Sequence, residues 1–167
     1  MRAPVPPRGW GLPALVLAPL LLLAGCGFHL QGRVELPRSL ANARIEGSDQ
    51  QSDFYSSLRT ALYAAGARLD GPAADAATIR ILADSSSERI LTVSARNTPT
   101  AFVLAYRVKL AVEYQGRELL PAEEHTLTRE YSFDETELLA KQRESDVLRQ
   151  ALADDLVALV MRRLAAL

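Results

Sequence analysis

From Phe102 to Tyr114 the chain alternates without interruption, and few folds can use such a segment. Phe102, Leu104, Tyr106, Val108, Leu110, Val112 and Tyr114 fall on one side, with Val103, Ala105, Arg107, Lys109, Ala111 and Glu113 on the other. A period of two held over thirteen residues predicts a long strand with one face buried and one largely polar. Its apolar face needs a second layer to cover it. Two stretches with helical spacing can supply that layer. Phe54, Leu58, Ala61, Leu62 and Ala65 form one stripe, with Ser52 or Asp53 to cap its start and Gly66 to stop it. Leu148, Leu152, Leu156, Leu159, Val160 and Leu164 form a second. This C-terminal helix is expected from about Ser145, with a start as early as Glu135 left open. Asp146 at its beginning and Arg162-Arg163 at its end suit the helix dipole. Asp154, Asp155, Arg162 and Arg163 exclude a membrane span there.

The remaining strands are shorter or less regular. Ala43–Glu46 is a brief first strand. Thr78–Ala83 alternates into Ser85-Ser86-Ser87, and the apolar phase restarts at Ile90–Val93, so the serine triplet is expected to mark a bulge or bend in one long strand. Asp70-Gly71-Pro72 and Gly116 mark turns. After Pro121, His125 to Phe133 forms the last strand, with His125, Leu127, Arg129, Tyr131 and Phe133 in one row. The expected fold class is α+β: a two-layer sandwich whose four-stranded, mainly antiparallel sheet has two helices packed on one face, in the order β-α-β-β-β-α. The other sheet face carries Arg107, Lys109 and Glu113, free to meet water or a partner.

The N-terminus predicts export. Arg2 and Arg8 precede a short apolar run, Leu12–Leu23, and small residues lead to Cys26. That is the layout of a secretory signal, and Pro13 and Pro19 would break a membrane helix. Leu23-Ala24-Gly25-Cys26 resembles a bacterial lipobox, in which the cysteine becomes the first mature residue and carries acyl chains. Gly27, rather than Asp, follows it, and by resemblance to bacterial sorting rules this points to the outer membrane. The expected organisation is a signal peptide over 1–25, a lipidated tether over 26–42 and a single α/β domain over 43–167. Cys26 is the sole cysteine, so the exported domain would fold without disulfides. Removing Arg2 and Arg8 leaves 17 basic against 20 acidic residues. That balance argues against nucleic acid as a partner.

Catalytic chemistry finds little support. His29 and His125 lie far apart, each without a neighbouring ligand pattern, so no metal site is expected. Ser85-Ser86-Ser87 lacks a nucleophile-elbow context. Glu123-Glu124 and Asp154-Asp155 are adjacent pairs that do not face one another. Neither a catalytic residue nor a cofactor beyond covalent lipid on Cys26 is expected. One geometric inference is sharper. If the last three strands form a meander, the loop Ser94–Pro99 and the segment Thr136–Arg143 share a sheet edge. Arg96 and Lys141, with Arg143 two residues on, would then meet at one end. Cations on a rigid frame can hold lipid phosphates; equally, exposed cations at loop ends serve simply as solvating groups.

Ala24-Gly25-Cys26-Gly27-Phe28-His29-Leu30 is similar to the start of the LPS-assembly lipoproteins of the LptE family: a lipobox, then Gly, an aromatic, His and Leu. The element order and Leu138-Leu139-Ala140-Lys141 ahead of the last helix resemble that family too. The resemblance implies no enzyme but a lipoprotein held at the outer membrane on its periplasmic side. It would sit inside the LptD β-barrel translocon as plug and assembly partner and take part in inserting lipopolysaccharide into the outer leaflet. It further implies direct lipopolysaccharide binding at Arg96-Asn97 and Lys141. Arg107 and Lys109 are then contact candidates for the barrel. The chain departs from the family in Ala95, where an aromatic can precede the arginine, and in ending at Leu167 without a polar tail. A different class, an auxiliary lipoprotein of a lipid or solute transporter, would have a similar small lipidated domain with other subunits as partners.

Overall fold

The four expected strands and two expected helices all form, in the expected order: β1 (Ala43–Glu46), α1 (Asp53–Ala64), β2 (Ala77–Val93), β3 (Pro99–Tyr114), β4 (Arg117–Ser132) and α2 (Leu138–Ala165). The computed structural model describes residues 34–72, 75–133 and 138–167, with side chains from 141 onward in the last segment. The signal over 1–25, Cys26 and His29 lie outside the described residues. The sheet runs β1-β2-β3-β4. β1 is parallel to β2, and β2, β3 and β4 are successive antiparallel neighbours, so the sheet is mixed. Parallel neighbours need a crossover connection, and α1 is that connection.

The core lies between the sheet and the helix layer. From β3, Leu104, Tyr106, Val108, Leu110 and Val112 are buried, meeting Phe54, Leu58 and Leu62 of α1 and Leu152, Leu156 and Val160 of α2. The buried stripe of α2 is broader than its leucines suggest. Ala153, Val157 and Met161 are also buried, while Leu159 lies at the margin. α1 begins as expected, with the Ser52 hydroxyl accepting from Tyr55 N at 3.1 Å. It ends at Gly66, whose φ of +90° is a conformation that suits glycine. Leu40, within the segment read as tether, is fully buried, and Val34 and Leu36 pack against the same core.

Two expectations about strand irregularity need correction. The breaks in β2 fall at Leu82 and again between Ile90 and Val93, not at the serine triplet. Ile81 pairs with Leu110 and Ala83 with Lys109, leaving Leu82 as the extra residue. One inserted residue exchanges the two faces of everything after it. Ile79 and Ile81 face the helices before the bulge. After it, Asp84, Ser86, Glu88 and Ile90 stand opposite Val108, Tyr106, Leu104 and Phe102 on that same side. The triplet therefore sits in regular pairing. Pro121 does not precede β4 but lies within it. Glu123 pairs with Leu110 and Leu120 with Val112, so Pro121 and Ala122 together oppose Ala111. β4 is an edge strand, where a bulge can accommodate a residue that lacks an N–H donor.

The register change gives β2 polar groups on the helix side. Tyr106 OH donates to Asp84 Oδ1 at 2.9 Å and accepts from Phe54 N at 3.3 Å. The Ser52 hydroxyl reaches Asp84 Oδ2 at 2.5 Å. Asp84 thus ties the start of α1 to the centre of the sheet. At seventeen residues β2 spans roughly 56 Å, against roughly 42 Å for the twenty-eight residues of α2. α2 still reaches the level of Glu88, where Ser145 bonds to it, yet every β2 residue from Ser85 to Val93 is exposed.

Candidate functional site

The expected cations occupy the far end of the β2–β3 hairpin and its surroundings. Arg96 lies in the loop between Val93 and Pro99, which is closed by Ser94 N to Thr98 O at 2.7 Å and Asn97 N to Ser94 O at 2.9 Å. The Ser94 hydroxyl accepts from Arg96 N and Thr98 N, both at 3.3 Å. Asn97 takes φ +61°, a left-handed turn that asparagine tolerates. The loop is therefore shaped by its own hydrogen bonds, and the exposed Arg96 guanidinium makes no ion pair with a described residue.

Lys141 sits in the first turn of α2. Its side chain is 14% exposed, and Nζ lies 2.8 Å from Glu144 Oε2. It borders a cleft of about 490 Å³ whose walls include Glu88, Tyr131 and Phe133. The pairing of Ile90, Phe102 and Tyr131 sets the level of this cleft along the strands. From there Val93 is three residues on, roughly 10 Å, and Arg96 lies beyond it. Arg96 and Lys141 thus share one end of the molecule without being neighbours. Arg143 is exposed on α2 near that same end.

Arg107 and Lys109 lie on the open sheet face, as expected. Arg107 Nε is 3.8 Å from Glu124 Oε1, both groups at least half exposed. Nearby, Arg80 Nη2 meets Glu113 Oε2 at 2.6 Å. This face mixes both signs and has no single-sign field. At the opposite end of β4, Arg163 grips Glu123 through Nε at 3.2 Å and Nη2 at 2.8 Å. The hydrogen bond from Arg163 holds the Glu123 carboxyl below its ordinary pKa. His125 Nε2 is buried without a hydrogen-bond partner among the described residues, 3.8 Å from Glu123 Oε2. Among the described residues no three potential metal ligands gather.

A cluster not foreseen from sequence stands in the cleft. Glu88 Oε2 accepts from Tyr131 OH at 2.6 Å and from Ser145 Oγ at 3.1 Å. Phe102 stacks on Tyr131 at 5.7 Å and meets Phe133 edge-on at 5.1 Å. The only signal for it in the sequence is the row of Tyr131 and Phe133, since Glu88 reaches this side through the bulge at Leu82. Burial, and then the bond to Glu88, push the Tyr131 phenol from 10.0 up to about 12. A group whose folded pKa is raised adds stability below its unfolded pKa and loses that contribution as pH rises through the folded value. Stability is therefore expected to fall between about pH 10 and 12. Tyr131→Phe should flatten that fall and remove one late-ionising group from the phenolate absorbance titration.

The family model LptE, described as lipopolysaccharide-assembly, matches residues 40–164, nearly all of the domain just described. The chain belongs to the LptE family. Among LptE relatives, the "LPS-assembly lipoprotein LptE" of Yersinia pestis is 26% identical over 147 residues, covering 87% of this chain and 70% of its own length. Two solved structures share the fold. Rare lipoprotein B of Shewanella oneidensis aligns at TM-score 0.67 and 22% identity over 75% of this chain and 94% of its own. Lipoprotein B of Nitrosomonas europaea aligns at TM-score 0.68 and 27% identity over 84% and 91%. Membership in the LptE family gives this fold a role in lipopolysaccharide assembly and leaves the roles of individual cations to be argued.

Proposed function

We propose that the chain is an outer-membrane lipoprotein, anchored through acyl chains on Cys26, that fills the lumen of an LptD-like β-barrel. There it takes part in lipopolysaccharide transport and insertion into the outer leaflet. The match to the LptE family over residues 40–164 carries this reading. The name of the Yersinia relative, an LPS-assembly lipoprotein, supports it. So does the open sheet face, whose mixed charges suit the polar interior of a large barrel. Arg107 and Lys109 on that face contact the barrel wall. Arg96 at the hairpin tip and Lys141 at the start of α2, with Arg143 beside it, engage lipopolysaccharide phosphates, and no catalytic step is involved. Guanidinium and ammonium groups on a rigid frame bind phosphate by charge-assisted hydrogen bonds, and two such contacts reinforce one another.

The test is retention of lipopolysaccharide by the immobilised full-length chain in mild detergent. Arg96→Ala combined with Lys141→Ala is expected to lower retention by about tenfold or more, the scale of losing hydrogen bonds to charged groups. Arg117→Ala, at the β3–β4 turn, should retain it fully. Equal retention by both variants removes these cations from the proposal.

A further inference from the structure

The cleft at the start of α2 is poorly suited to phosphate alone. Beside Lys141 it also carries the Glu88 carboxylate, which would repel an anion. Tyr131 and Ser145 both donate to Oε2 and hold the group in place. Oε1 accepts no hydrogen bond from a described residue, and a carboxylate oxygen can take two. The nearby ammonium of Lys141 is held by Glu144, and Asp146, also in the cleft, is held by Arg149 at 3.0 Å. Glu88, held by two donors, thus keeps one oxygen for a ligand, and what that oxygen demands is a donor: a hydroxyl or an ammonium.

The other wall is aromatic. Phe133 is half-buried, braced edge-on by Phe102. An aromatic wall accepts the apolar C–H face of a sugar ring, while polar groups opposite fix the ring's edge. The volume of about 490 Å³ falls within the range of about 300–1,000 Å³ typical of small-ligand sites.

We infer that the cleft between Glu88 and Phe133 is a sugar subsite, taking a hydroxyl- or amino-bearing pyranose that adjoins a phosphate. Oε1 of Glu88 accepts from the sugar's donor, and the ring lies along Phe133. The inference rests on the lipopolysaccharide reading and deepens it. Phosphate contacts are assigned to the cations and sugar contacts to Glu88, so that the ligand is recognised as a phosphorylated glycolipid and not as any anion. Glu88 is then a specificity residue that touches the ligand, and Tyr131 and Ser145 position it.

The probe is glucosamine 1-phosphate, titrated into the isotope-labelled full chain in detergent micelles and followed by NMR. Inorganic phosphate is titrated in parallel. The expected result is that glucosamine 1-phosphate moves the Tyr131, Phe133 and Ser145 signals. Glu88→Gln should weaken its binding about tenfold, as expected for one charge-assisted hydrogen bond, and leave phosphate binding unchanged. Phe133→Leu, which leaves the carboxylate and its two donors intact, should weaken the sugar phosphate several-fold by an independent route. Cleft signals that stay in place, or Glu88→Gln and Phe133→Leu variants that bind as the wild type does, overturn the inference. If this happens while the wild-type chain still retains lipopolysaccharide, only the sugar subsite fails. If the wild-type chain retains no lipopolysaccharide, the functional reading fails first and the inference with it.

Discussion

Replacing Phe54 with alanine is expected to remove about 3–5 kcal/mol of stability, the range for emptying a large aromatic from a packed core. Phe54 is fully buried in the first turn of α1, in the cluster that includes Leu58, Val108, Leu110 and Leu156. Its backbone N–H is also tied to Tyr106 OH, and through that hydroxyl to Asp84. The cavity would therefore open where the helix start is fastened to the sheet. With about 5–15 kcal/mol in total for an ordinary domain, the variant would keep only part of its folded population at raised temperature. The check is a denaturant titration of both forms, comparing midpoints at matched slopes. Breaking the exposed Arg129–Asp155 pair, 2.7 Å apart, serves as the contrast and should cost less than about 1 kcal/mol. A Phe54→Ala loss as small as that would mean that α1 does not cover the sheet as described.

The second large effect concerns attachment. Cys26→Ala is expected to move the protein from the membrane pellet to the soluble fraction or leave it with its signal uncleaved. Each buried CH₂ of an acyl chain adds about 0.8 kcal/mol, and stable anchoring needs more than one chain. No described helix is long and apolar enough to cross a membrane, so in the proposed account these chains carry the attachment. Intact-mass measurement of the membrane-extracted protein checks it directly. The wild type should run heavier than the chain from Cys26 by the mass of its acyl groups, and the variant should lack that increment. An unmodified wild-type mass with the protein still in the pellet would place the attachment elsewhere.

Much of the fold is legible because both sides of an element carry a pattern. β3 has apolar and polar residues in strict alternation, and its whole inner row from Leu104 to Val112 is buried. α1 carries its cap, stripe and glycine stop within fifteen residues, Ser52 to Gly66. Where one residue decides a register, local pattern fails. Ser85-Ser86-Ser87 looks like a break because it is polar, yet the inserted residue is the exposed, apolar Leu82. Pro121 looks like a boundary because it cannot donate, but an edge bulge tolerates it. The early turns of α2 are hard to read because Lys141-Gln142-Arg143-Glu144 shows no apolar stripe. The ion pair between Lys141 and Glu144 suits helical spacing there.

The site divides in the same way. The shared end of Arg96 and Lys141 follows from strand order alone. The cluster of Glu88, Tyr131 and Ser145 joins two strands and a helix across 57 residues of sequence. It is invisible until the bulge at Leu82 turns Glu88 toward the helix layer. Long-range contacts that depend on a one-residue register shift leave no local signature.

The most direct measurement of the central claim is purification of the full-length lipoprotein from its native membranes in mild detergent, with mass spectrometry of whatever accompanies it. The account predicts a single large outer-membrane β-barrel protein in fixed stoichiometry, retained through washing. Recovery of inner-membrane transporter subunits instead, or of the lipoprotein alone, would contradict it.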